Sequence, residues 1–322
     1  MAARVADAPG QTLIRARGGA TAAWLAVALA ALGAWGPAQA AGTRYCDEPA
    51  PLSAAQHDRL LRFTGVIRAA LQSSGERVAL VSRSGLDLRR FGQRYSHAGI
   101  SLRASAATPW AVRQLYFACD ERRPRLFDQG LAAFVQGMDQ PAEGYVSVLL
   151  LPQEAASTLE AHALDNGLAL ALLGPDYSAN AYAFSTRYQN CNQWVAELLA
   201  TAWGGADTFT TAPGALRAAA QDWLKAADYA PTVFDVGSRM LMWLSAFSPW
   251  LNRDDHPPQD TEQQRFRVSM PASLEAFVQR QVPATQRLEF CHNETQIVVR
   301  RGWQALGDGC QAGPEDTVIA LD

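Results

Sequence analysis

Several features are missing from this chain, and each absence narrows what it can be. There is no excess of basic residues: 28 Lys and Arg face 31 Asp and Glu, a formal net charge of −3 that argues against a dedicated nucleic-acid binder. After the first forty residues no apolar run is long enough to span a bilayer. The five cysteines and five histidines contain no Cys-x-x-Cys pair and no group at zinc-site spacing, so no metal or other cofactor is expected. Internal repeats and low-complexity tracts are absent too. What remains, 48% hydrophobic and 18% charged, is the profile of a folded globular protein.

The N-terminus is distinctive. Arg4, Arg15 and Arg17 precede an apolar run from Ala20 to Trp35, followed by Gly36-Pro37-Ala38-Gln39-Ala40, an A-x-A pattern of small residues. The run is short for a membrane span and suits the apolar core of a secretory signal peptide over residues 1–40, with an uncleaved anchor as the competing reading. No Leu-x-Gly-Cys lipobox precedes Cys46. The mature protein is expected to be periplasmic or secreted, with no membrane span after cleavage. About 280 of the 322 residues then remain, divided on the pattern of turns into a main domain, 41–250, and a C-terminal α+β region, 251–322.

All five cysteines, Cys46, Cys119, Cys191, Cys291 and Cys310, follow the cleavage site, where an oxidising compartment favours disulfides. Five cysteines allow many pairings. The economical one joins Cys291 to Cys310 around a C-terminal hairpin and Cys46 to Cys119, leaving Cys191 over.

Periodicity predicts a helix over Ser53–Ser73 and strands at Arg77–Val81, Arg94–Leu102, Trp110–Cys119 and Gly144–Leu151. It further predicts helices over Leu126–Val135, Ala155–Leu172, from Asn190 to Gly204-Gly205, and over Pro213–Ala227, Val236–Phe247 and Ser273–Arg280. Strands close the chain at Arg287–Cys291, Gln296–Arg301 and Thr317–Leu321. The expected class is α+β, with a central antiparallel sheet packed on helices and a small disulfide-bearing C-terminal region.

Two segments carry chemistry. In Arg94-Tyr95-Ser96-His97-Ala98-Gly99-Ile100, strand alternation puts His97 on one face with Tyr95 and Gly99, and Gly99 lets another backbone or a ligand come close. In Tyr188-Gln189-Asn190-Cys191-Asn192-Gln193, Asn190 is a good N-cap and Gln193 stands where a capping-box partner belongs. Cys191 is then the first helical residue, where unpaired backbone N–H groups and the helix dipole favour thiolate. The competing reading makes Cys191 a small core residue and His97 a structural one.

A Ser-His-x-Gly-Ile strand followed far downstream by a helix opening on Asn-Cys resembles the circularly permuted papain-like hydrolases, relatives of the NlpC-type cell-wall peptidases and of the lecithin:retinol acyltransferase group. Over Trp110–Asp120, Arg123–Phe134 and Tyr188–Leu199 the chain also resembles an exported Gram-negative family of unknown function. The first resemblance implies a permuted papain-like core in which Cys191 is the nucleophile, His97 the base, and a polar side chain on the next strand orients the ring. Gln114 is the candidate for that third place, with Asp120 and Asp128 as fallbacks. Gln189 and the Cys191 N–H are candidate oxyanion donors, and Tyr95 a lining residue. The implied activity is a thiol hydrolase or acyltransferase acting on an amide, ester or thioester, its substrate a cell-wall peptide or a lipid acyl group. The alternative is an inactive papain-like binding or scaffold protein of the envelope.

Overall fold

A computed structural model of the chain describes residues 51–205, 214–238, 248 and 250–321. The expected signal peptide at 1–40, Cys46, and residues 239–247 of the helix expected at Val236–Phe247 lie outside the described residues. The strands, in chain order, are β1 (Val78–Arg83), β2 (His97–Leu102), β3 (Ala111–Ala118), β4 (Arg123–Gln129), β5 (Gly144–Leu150), β6 (Thr232–Asp235), β7 (Arg265–Val268), β8 (Gln286–His292), β9 (Gln296–Arg301) and β10 (Thr317–Ala320). Eight form one sheet in the order β10-β9-β8-β5-β1-β2-β3-β4, with every neighbouring pair antiparallel, and β6 and β7 form a separate ribbon.

Every residue of β1, β2 and β5 is buried, because both faces of the sheet are covered. That explains why Val78–Val81 reads as an unbroken apolar run and Val146–Leu150 as one interrupted only by Ser147. Alternation sorts their side chains: Val78, Leu80, Ala98, Ile100 and Leu102 point into one core, and Ala79, Val81, Val112, Val146 and Val148 into another.

Two helices cover the second core. In α1 (Ala54–Ser73) the stripe Leu60, Phe63, Ile67 and Leu71 is buried, and α2 (Leu131–Gln136) adds Phe134 and Val135. A full capping box opens α1: the Ser53 hydroxyl accepts from the Gln56 N–H, and Gln56 Oε1 accepts from the Ser53 N–H. Over the first core lie α3 (Gln153–Leu164), α4 (Asn166–Ala171), α5 (Cys191–Trp203), α6 (Ala215–Ala226) and, after the short α7 (Pro258–Glu262), α8 (Pro271–Gln281).

Three expected elements differ. The helix expected from Val236 is not helical over its described residues, 236–238, where the Val236 N–H bonds the Gln264 carbonyl. Leu126 belongs to β4 and not to a helix; it pairs with Leu115, and helix begins only at Leu131, after the extended Gly130. The single helix expected over Ala155–Leu172 is two helices. Asp165 takes an extended backbone and its carboxylate caps the N–H groups of Gly167 and Leu168, which restarts the helix.

Residues Arg44–Asp322 form one compact unit. The C-terminal strands continue the main sheet, β8 pairing with β5 from Gly144↔His292 to Leu150↔Gln286. The disulfide Cys291–Cys310 ties β8 to the segment before β10. Cys119 is disulfide-bonded as well, and Cys46, expected to be its partner, lies outside the described residues. No helix among the described residues is long and apolar enough to cross a membrane.

Candidate functional site

The end of β1, the start of β2, the middle of β3 and the N-terminus of α5 meet at one end of the sheet. They line a cavity of about 70 Å³ whose walls include Arg83, Ser96, His97, Tyr116, Cys191 and Asn192. Cys191 and His97 therefore face a common space, each only 6% exposed.

Cys191 is placed by the helix it opens. Asn190 keeps an extended backbone and its Oδ1 accepts the Gln193 N–H at 2.8 Å, so α5 starts at Cys191. The reciprocal half of the expected capping box is not made, because the Gln193 side chain turns away to the Tyr182 and Ser185 carbonyls. All residues from Cys191 to Ala202 are buried, so α5 is a central helix and not an amphipathic surface one.

His97 is placed by the sheet. It sits opposite Arg83 on β1, and its ring stacks on Tyr116 of β3 with centroids 4.6 Å apart. Gln114 Oε1 lies 2.7 Å from His97 Nε2. The β2–β3 ladder runs from Ile100↔Arg113 onward, so the strands are unpaired at His97 itself. Gly99 permits this approach: a Cβ there would lie 2.6 Å from Val112 Cγ1 and 2.9 Å from the Arg113 carbonyl oxygen.

Burial dominates the electrostatics. It pushes the Cys191 thiol up to about 11, against the opposing pull of Arg83 and of the backbone N–H groups of Asn192, Ala98 and Cys191 itself. It pushes His97 down to about 3, with Arg83 adding to the shift and the Gln114 hydrogen bond opposing it. At neutral pH the resting pair is thus a thiol and a neutral imidazole. A thiolate–imidazolium pair is not the resting form.

The remaining expected site residues separate into two groups. Gln114 joins the site. Gln189 does not line the cavity, and its amide is fully engaged: Nε2 donates to the Leu172 carbonyl and Glu197, and Oε1 accepts from the Gly174 N–H. It has no donor left for an oxyanion. Tyr95 points instead into the cluster with Tyr145, Cys291 and Cys310, its hydroxyl bonded to Glu289. Asp128 is paired with Arg113, whose side chain reaches to the Ala163 carbonyl on the helix side, so it does not replace Gln114. No group of three or more metal-ligating side chains occurs among the described residues.

Two participants escaped the sequence reading. Arg83 falls just beyond the strand expected at Arg77–Val81, although continuing its alternation through Ala79 and Val81 would have placed it on the His97 face. Tyr116, two residues beyond Gln114 on β3, is the stacking partner of His97.

A family model described as an uncharacterized protein conserved in bacteria (DUF2145) matches residues 70–278. The chain belongs to this family. The match spans every DUF2145 residue of the site, from Arg83 through His97 and Gln114 to Cys191. No curated protein and no solved structure matches the DUF2145 chain.

Proposed function

We propose that this DUF2145 protein is an exported, periplasmic or secreted thiol hydrolase or acyltransferase with a permuted papain-like arrangement, forming an acyl-thioester at Cys191. The observation that carries this reading is the shared cavity: a thiol at a helix N-terminus, an imidazole on a strand and an amide holding that imidazole at 2.7 Å. His97 takes the thiol proton as sulfur attacks the carbonyl carbon, then returns it to the leaving nitrogen, oxygen or sulfur. Because the resting pair is neutral, proton transfer accompanies S–C bond formation. The oxyanion is met by backbone N–H groups at the start of α5, chiefly those of Cys191 and Asn192. The substrate is an amide, ester or thioester, in a cell-wall peptide or a lipid acyl group. Disulfides suit the oxidising compartment this requires.

One observation favours a second reading, a binding or scaffold protein without turnover: both reactive groups are neutral and enclosed. Incubation with p-nitrophenyl acetate separates the two. A burst of nitrophenol near one per chain, with acetyl on Cys191 in the peptide map and its loss in Cys191→Ser and His97→Ala, is the expected result. Acylation absent from the folded protein but rapid once it is denatured supports the binding reading.

A further inference from the structure

Arg83 is 4% exposed and forms no ion pair with a carboxylate among the described residues; Asp139, the one carboxylate of them that lines the cavity, lies beyond salt-bridge reach. Its Nη1 donates to the Ser84 carbonyl and its Nη2 to the Tyr116 hydroxyl, but Nε is buried with no hydrogen-bond partner. The guanidinium stacks near Phe134, 5.6 Å from the ring centroid. It is also given room: a Cβ on Gly137 would come within 2.6 Å of Nη2, and one on Gly85 within 2.9 Å of Nη1. Both glycines line the cavity that holds Cys191 and His97. A buried cation is costly without a partner, and a planar guanidinium with a free N–H matches a carboxylate. Asn192 Oδ1, on the same cavity wall, is likewise buried and unpartnered, and an acceptor of that kind calls for an N–H.

We infer that Arg83 binds a carboxylate of the ligand, and that the substrates of this site are acyl compounds carrying a free carboxylate and an N–H close to the scissile carbonyl. A C-terminal peptide residue or an N-acyl amino acid has this chemistry. The inference rests on the thiol acyl-transfer reading for the carbonyl attacked, but the carboxylate site is testable without it. Arg83 is a binding residue here, and its charge also reaches both Cys191 and His97.

The test has two arms. In the first, Cys191 is alkylated with iodoacetate and with iodoacetamide, near-isosteres that end in a carboxylate and in a neutral amide; sulfur displaces iodide and the thiol proton is released. The iodoacetate-to-iodoacetamide rate ratio is expected to fall roughly tenfold in Arg83→Gln. Arg83→Lys, which keeps the charge and loses the planar fork, should fall between. An unchanged ratio overturns the inference. In the second arm, thermal unfolding of the wild type and of Cys191→Ala is followed with N-acetylglycine, N-acetylglycinamide and inorganic phosphate. Stabilisation of both proteins by N-acetylglycine alone, lost in Arg83→Gln, supports the carboxylate site. If this is seen while Cys191 never alkylates, the thiol reading fails and the carboxylate site stands. Equal stabilisation by phosphate, or none by N-acetylglycine, overturns it.

Discussion

Gln114 fixes which nitrogen of His97 can act as a base. The Gln114 amide donates through Nε2 to Gln129 Oε1 at 2.6 Å, which turns its own Oε1 toward His97 Nε2 at 2.7 Å. An oxygen can only accept, so Nε2 of His97 carries the proton and Nδ1 keeps the lone pair. Gln114→Glu replaces this neutral acceptor by a carboxylate and should raise the His97 pKa from about 3. An NMR titration of the His97 ring shows the midpoint, and one that stays put in the variant contradicts the pairing.

Acid should destabilise the protein through two buried histidines. Burial lowers His97 to about 3 and His292 to about 4, so in the native state both stay neutral well below the pH at which the unfolded chain protonates them. Between the unfolded value of about 6.5 and those folded values the unfolded state binds more protons, so stability falls as pH falls. The stability is fully present above about 6.5, and the slope is at most about 1.4 kcal/mol per pH unit for each histidine. Urea unfolding midpoints should drop from pH 6.5 downward, and His292→Leu, which removes one of the two groups, should flatten the curve.

The carboxylate of Glu197 is enclosed in α5 by Arg217, Gln221 and Gln189, with Arg217 Nε 2.8 Å and Nη2 3.0 Å away. Arg217→Met leaves that acid buried without its cation and should cost about 3–5 kcal/mol. The double variant Arg217→Met/Glu197→Leu should recover much of the loss. Denaturant midpoints decide it, and additive losses would rule out the pair as a unit.

Gly99→Ala sets a methyl against the Arg113 backbone oxygen, which cannot give way as a flexible side chain would. A cost of about 1–3 kcal/mol is expected. Because the push falls on β3 beside Gln114, the His97 ring resonances should also shift. Thermal melts and the same NMR spectra test both effects, and an unperturbed ring would mean that β3 yields elsewhere.

Cys310→Ser removes the Cys291–Cys310 bridge across a separation of 19 residues, leaves the Cys119 disulfide in place, and should lower stability by about 2–4 kcal/mol. Melting the variant beside the wild type, both without reductant, measures it.

Much of this architecture was legible because local physics and the fold agree. The apolar stripe of the first helix, the alternating β2 and β3 and the Asn190-Cys191 helix start each follow from a few neighbouring residues. The β4 strand was missed because Leu126–Phe127 followed by the apolar Leu131–Val135 mimics helix spacing, and only pairing with β3 decides otherwise. Gln189 and Tyr95 were misplaced because adjacency in sequence to Cys191 and His97 is no guide to which cluster a side chain enters. Gln189 is drawn off by Glu197 and Tyr95 by Glu289, two partners far along the chain. Arg83 lay hidden because an arginine at a strand end ordinarily reads as solvated.

The place of β5 between β1 and β8 governs when this molecule can finish folding. Until the segment from Gln286 onward is available, β5 has a bare hydrogen-bonding edge and the second core lacks Leu288 and Phe290. A nascent chain ending near residue 250 would present that edge as a template for aggregation. Completion has to wait for pairings that are distant in sequence, which is slow.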